Sequence, residues 1–191
     1  MTRLTGSAAA SPTQQLRKAT MADVVALNSL IAVSARELSV DFYSSAQIEA
    51  LLTHVFGVDT QLIADGTYYV VHDSDQTEEP IACGGWSARR TLYGGDQAKA
   101  GDDNRLNPQT DAARIRAFFV HPRFARRGLG RLLYAECESE ARAAGFHRFE
   151  LMATLPGEPL YAALGFIPVE RTGAHLPGDV VVPLVKMERP I

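Results

Sequence analysis

The 191-residue chain has little cysteine and only one tryptophan. Its two cysteines, Cys83 and Cys137, lie far apart inside apolar patterns, and neither belongs to a Cys-x-x-Cys pair. A disulfide framework or a thiolate metal centre is therefore not expected, and both thiols read as buried and free. Long hydrophobic runs are missing too: none approaches the ~18 apolar residues of a membrane span. The Ala8-Ala9-Ala10 patch is far too short for the apolar core of a signal peptide. Nor does one sign of charge dominate, since 19 Lys and Arg against 22 Asp and Glu leave −3, and no global positive field exists to gather nucleic acid. The expectation is a cytoplasmic protein, with neither membrane nor nucleic acid as partner, a loose N-terminal tail over residues 1–13 and one domain over residues 14–191. What is present, 46% hydrophobic and 21% charged residues, suffices for a packed core.

The charge is unevenly spread. Residues 114–131 hold six arginines and no acid, which leaves −9 for the rest of the chain. The surrounding pattern alternates strands and helices. A short strand at residues 16–19 precedes Thr20 and Asp23, spaced to cap a helix whose apolar face is Val24, Leu27, Ile31 and Ala35. Ser44 and Gln47 form a capping box before Ile48, Leu51, Leu52, Val55 and Phe56, which recur at helical spacing up to Gly57. Residues 67–72 and 81–87 read as a hairpin with a longish loop. Residues 91–113 are polar and irregular, either functional or disordered. A strand over 114–120, stopped by His121-Pro122, leads to an amphipathic helix over 129–144 with Glu138 and Arg142 paired at i,i+4. A strand at 148–153, a short helix at 159–164 closed by Gly165, and strands at 166–171 and 180–187 complete the order. Such an order predicts an α+β domain of the α/β three-layer type, with a mixed, largely antiparallel central sheet and helices on both faces.

Between strand and helix lies Arg123-Phe124-Ala125-Arg126-Arg127-Gly128-Leu129-Gly130-Arg131. The first amides of a helix lack intrahelical acceptors and carry the positive end of its dipole, and glycines let a ligand approach the backbone. This is an anion site, to which four arginines add charge-assisted donors. A dinucleotide fingerprint would need glycine where Leu133 stands, and a P-loop would need a Gly-Lys-Ser/Thr tripeptide that the chain lacks.

The strand ending in Val-His-Pro, the Arg-Arg-Gly-Leu-Gly-Arg turn, the helix after it, and then Tyr161-Ala162-Ala163-Leu164-Gly165-Phe166 resemble the GNAT superfamily of acyl-CoA-dependent N-acyltransferases over residues 14–191. The resemblance implies a GNAT-like fold and acetyl-CoA as acyl donor. The pyrophosphate would fall on Arg126, Arg127, Gly128, Leu129, Gly130 and Arg131, and the pantetheine arm on the main chain of Phe118 and Val120. An amide near Phe119 or Val120 would stabilise the oxyanion. It further implies Tyr161 as the proton donor to the departing thiolate, no metal, and a small-molecule or peptide amine as acceptor, with a homodimer left open. Ala125 departs from the family pattern, which has a polar side chain there.

Acyl transfer to an amine also needs the amine neutral. No carboxylate lies on strand 114–120, and Glu150, by alternation, faces away from Phe149 and Leu151 toward an expected solvated surface. Ordered water is the alternative base. Glu37, Asp41, Asp59 and Asp65 could attract a cationic amine or simply be solvated. Arg114 and Arg116 have no assigned role. Direct transfer in a ternary complex is expected because no activated nucleophile is apparent; a non-catalytic acyl-CoA sensor and a nucleotide-phosphate binder are the competing readings.

Overall fold

In the computed structural model, which describes residues 14–75, 77–99 and 103–191, the chain begins with β1 (Gln14–Lys18), α1 (Val24–Leu38), α2 (Ser45–His54), α3 (Thr60–Ala64), β2 (Tyr68–Asp73) and β3 (Thr77–Ser87). It continues with β4 (Ala113–Val120), α4 (Leu129–Ala143), β5 (Arg148–Thr154), α5 (Glu158–Ala163), β6 (Ile167–Leu176) and β7 (Val180–Pro190). The strands form one sheet ordered β1-β2-β3-β4-β5-β7-β6, antiparallel except where β4 meets β5. The tail expected over residues 1–13 lies outside the described residues.

Each face of the sheet has its own apolar layer, as the helical periodicities require. Leu129, Leu133, Cys137 and Ala141 of α4 pack on Trp86, Ile115 and Phe149. Leu133 is wholly buried, which contributes about 1.5–3 kcal/mol. On the opposite face Leu27, Leu30 and Ile31 of α1 and Leu62 of α3 meet Tyr68, Val70 and Cys83. Ile48 and Leu51 of α2, started by the Ser44–Gln47 capping box, cover Val182 and Leu184 of β7. Helices thus flank both faces.

Three elements differ from expectation. The hairpin loop is short because β3 starts at Thr77; Pro80, which cannot donate to a ladder, is absorbed by a register shift between β2 and β3. The helix α3 has too few residues to show a period, and is fixed by Asp59, whose carboxylate accepts from the Gln61 amide at 3.0 Å. The segment after β3 is folded wherever it is described: Arg89 and Arg105 form a bridge, and the Leu106 amide donates to the Ala88 carbonyl at 2.8 Å.

β4 and β5 pair only through Ala113↔Phe149 and Arg114↔Glu150 before they part. Each is committed elsewhere, β4 to β3 and β5 to β7, so beyond that point a gap opens in the middle of the sheet. Its β4 side is set by a bulge. Cys83 pairs with Phe119 but Gly85 pairs with Arg116, so β4 holds one extra residue, and Ala117 takes φ +52°. The extra residue turns both Arg116 and Ala117 toward the α1 face.

There the Arg116 guanidinium, 2% exposed, meets Asp59 at 2.9 Å and the carbonyls of Thr91 at 2.9 Å and Gly94 at 2.6 Å. Lys99 completes the group by pairing with Asp59. Burial pulls the Arg116 pKa down, yet a guanidinium starts so high that it stays charged. Removing one partner of such a pair strands the other, so Arg116→Met should cost about 3–5 kcal/mol in urea denaturation. The double variant Arg116→Met with Asp59→Leu should lose less than Arg116→Met alone; additive losses would show that the two side chains are not coupled.

Candidate active site

The gap between β4 and β5 is the floor of a cleft of about 520 Å³. Strand parity decides which main-chain groups face it. The His121 amide donates to Ile81 of β3 at 2.8 Å, so the Phe119 amide also points to β3, and those of Phe118 and Val120 point into the gap. The Val120 amide donates to the Ser34 hydroxyl of α1 at 3.3 Å. Of the two amides expected near an oxyanion, only that of Val120 opens on the cleft.

One end of the cleft is built for an anion. His121 caps a 3-10 turn over Pro122–Phe124 by accepting from the Arg123 amide, and Arg126 and Gly128 then take φ of +65° and +84°. Among the described residues, the backbone amides from Arg126 to Arg131 have no acceptor. Together with the start of α4 they make a concave row of donors. Gly128 is needed for its positive φ, since a Cβ there would meet nothing, whereas a Cβ at Gly130 would lie 2.7 Å from Leu160 of α5. Gly130 therefore serves helix packing. Phe118, Phe119, Val120, Arg126, Gly128, Leu129, Gly130 and Arg131 line the cleft. The Arg127 side chain does not; it stacks on Phe124 at 5.1 Å.

Tyr161 of α5 sits where β5 leaves the gap. Its ring packs on Phe118 and Phe166, with centroids 6.2 and 5.7 Å away, and its hydroxyl has no hydrogen-bond partner among the described residues. Burial raises its pKa above the ordinary value near 10, so the phenol keeps its proton across the working range. Phe118 in turn lies over Gly84 of β3, where a Cβ would come within 2.3 Å of its ring. Adjacent glycines in a central strand, Gly84 and Gly85, are the sequence signal for such a close approach.

Several acids are not where the sequence reading put them. Glu150 faces away from Phe149 as alternation requires, but that face is covered, and Glu150 is buried between Arg114 and Lys186. Asp59 is spent on Arg116 and Lys99, and Asp65 on Arg89, at 2.5 Å, and Arg105. Arg89 holds the Asp65 carboxyl below the usual range. None of these lines the cleft. Arg114 and Arg116 acquire a role, as buried partners of acids. Burial pushes the Cys83 thiol up to about 12 and that of Cys137 well above its usual value, which leaves neither a thiolate nucleophile.

A cleft of this kind, with its strand gap and amide-rich turn, can be compared with known proteins. The sequence model of the Acetyltransferase (GNAT) family matches residues 33–166. The chain belongs to that family. Solved structures agree on the fold. A GCN5-related N-acetyltransferase from Rhodopseudomonas palustris is 18% identical, with a TM-score of 0.69 over 96% of this chain and 99% of that one. The PaiA N-acetyltransferase from Thermoplasma acidophilum, solved with coenzyme A, is 12% identical, at 0.61 over 93% and 99%. A phosphinothricin acetyltransferase from Sinorhizobium meliloti, solved with acetyl-CoA, is 19% identical, at 0.60 over 94% and 89%. Among curated proteins, no sequence matches the chain.

In this GNAT chain the contact between Gly84 and Phe118 holds the ring beside Tyr161. Gly84→Ala should drive the Phe118 ring off β3 and cost about 1–3 kcal/mol, read from thermal denaturation. A neutral substitution would contradict this close approach.

Proposed function

We propose that residues 14–191 form a single N-acetyltransferase domain that moves an acetyl group from acetyl-CoA to a primary amine by direct transfer in a ternary complex. The reading rests above all on the unpaired amides of Arg126 to Arg131 at one end of the strand gap, with Tyr161 at its other side. These residues fit the donor: the amide row with Arg126 and Arg131 would hold its pyrophosphate, and the main chain of Phe118 and Val120 would bind its amide-bearing arm as a strand binds its neighbour. Acetyl-CoA brings an acyl group on a thioester sulfur, a good leaving group.

Transfer forms the new carbon–nitrogen bond, breaks the carbon–sulfur bond, takes a proton from the amine and gives one to the thiolate. Tyr161 supplies the last proton, since its phenol is kept protonated by burial and opens on the cleft. The Val120 amide, which donates to the Ser34 hydroxyl, would exchange that acceptor for the acyl oxygen as negative charge develops there. No carboxylate lines the cleft among the described residues, so the amine proton leaves to water. The elevated thiols of Cys83 and Cys137 favour direct transfer over an acyl-cysteine route.

Tyr161→Phe should lower kcat by about 10²–10⁴-fold and leave the acetyl-CoA Kd within about twofold, by thiol-release kinetics and calorimetry. Because the phenol's pKa is raised, kcat should not fall between pH 7 and about pH 10, where an ordinary tyrosine would begin to ionise. An unchanged kcat removes Tyr161 from the mechanism. Acetyl-CoA binding without thiol release across a broad amine panel would instead mark the protein as an acyl-CoA sensor, the reading that the missing carboxylate base favours.

A further inference from the structure

The end of the cleft away from the amide row has a composition of its own. Its walls are Leu51, Val55 and Phe56 from α2 and the residues after it, Leu92 and Tyr93 from the segment after β3, and Leu184 of β7. Most belong to the apolar cluster in which α2 packs on β7. Leu38 and Tyr93, which line the cleft, keep 37% and 40% of their surface open and form an apolar rim. Among the described residues, Arg126 and Arg131 are the only charged side chains in the lining, and both belong to the anion end. Acids on the neighbouring elements are paired: Asp59 with Arg116 and Lys99, Asp96 with Lys99 at 3.6 Å, and Glu49 with Arg36 at 2.8 Å. Glu37 and Asp41 are exposed and line none of the cleft.

The walls are also held in place. Arg116 grips the Gly94 carbonyl, and the Gly95 amide donates to Val55 at 2.8 Å, which pins the segment after β3 against the end of α2. On the other side Tyr43, between α1 and α2, donates to the Pro183 carbonyl at 2.7 Å and accepts from the Leu155 amide at 2.8 Å. Gln47 donates to the Val181 carbonyl at 2.8 Å. These bonds tie the start of α2 to β7 and to the connection before α5.

We propose that the acceptor is a small apolar molecule bearing a single amine; the proposal rests on the N-acetyltransferase reading above. A second ammonium group would be stripped of water at a wall whose described residues offer no carboxylate to pair with. An aromatic or alkyl substituent gains by burial against the same wall. A peptide would present its amine but could not pass its chain between α2 and β7, which Tyr43 and Gln47 join.

The test compares 2-phenylethylamine and hexylamine with spermidine and with a pentapeptide beginning in phenylalanine. Thiol release from acetyl-CoA gives kcat/KM, and calorimetry gives binding of each amine to the CoA-loaded protein. The two apolar monoamines should exceed spermidine and the peptide at least tenfold in both measurements. Leu92→Asp, a change at a half-buried position, should narrow or reverse the margin over spermidine by placing a carboxylate on the wall. If spermidine or the peptide is preferred by the native protein, the acceptor assignment is overturned and the transferase reading stands. If the monoamines bind preferentially without thiol release, the acceptor pocket stands and the transferase reading falls. Equal binding of all four, or of none, overturns the assignment.

Discussion

The Arg116 guanidinium joins three parts of the chain: β4, the start of α3 and the segment after β3. It leaves β4 beside the bulge at Ala117, reaches the Asp59 carboxylate that starts α3, and takes up the carbonyls of Thr91 and Gly94. A charge this deep is tolerable only because each of those oxygens is aimed at it. The bulge that turns Arg116 inward also turns Ala117 the same way, and Tyr68 donates its hydroxyl to the Ala117 carbonyl at 3.2 Å. One buried cation thus touches both the strand beside the gap and the wall above it, a wall that the Gly95–Val55 bond also holds.

Local features of this site could be read from the residues in order. The turn from Arg126 to Arg131, the face of α4 and the short helix carrying Tyr161 each depend on neighbours within about two helical turns, and spacing reports them. What could not be read depends on distant partners. Asp59 and Arg116 are separated by 57 positions, and nothing near either residue announces the other. Glu150 was assigned correctly to its face, but alternation says which way a side chain points and not what covers it. The hairpin between β2 and β3 was judged by its polar residues, which occupy strand positions once Pro80 is taken up by a bulge. The bulge at Ala117 puts an L-residue at positive φ, for which the sequence Arg-Ala-Phe gives no cue.

The uneven charge along the sequence resolves into two populations. Arg114 and Arg116 are neutralised inside the fold by Glu150 and Asp59, and Arg127 spends its side chain on Phe124. Arg123 is exposed outside the cleft, and Arg126 and Arg131 remain to give the cleft its sign. Pairing the acids with arginines elsewhere has a second effect, because it removes every carboxylate from the lining among the described residues. The two ends of the cleft then differ in what they can hold. At the turn, unpaired amides and guanidinium groups stabilise negative charge; at the far end, apolar walls penalise any charge at all. On the proposed reading an amine reaching that end would be favoured once it sheds its proton, the form that attacks a thioester, so the same absence of acids among the described residues that supplies no internal base would bias the acceptor toward its reactive state.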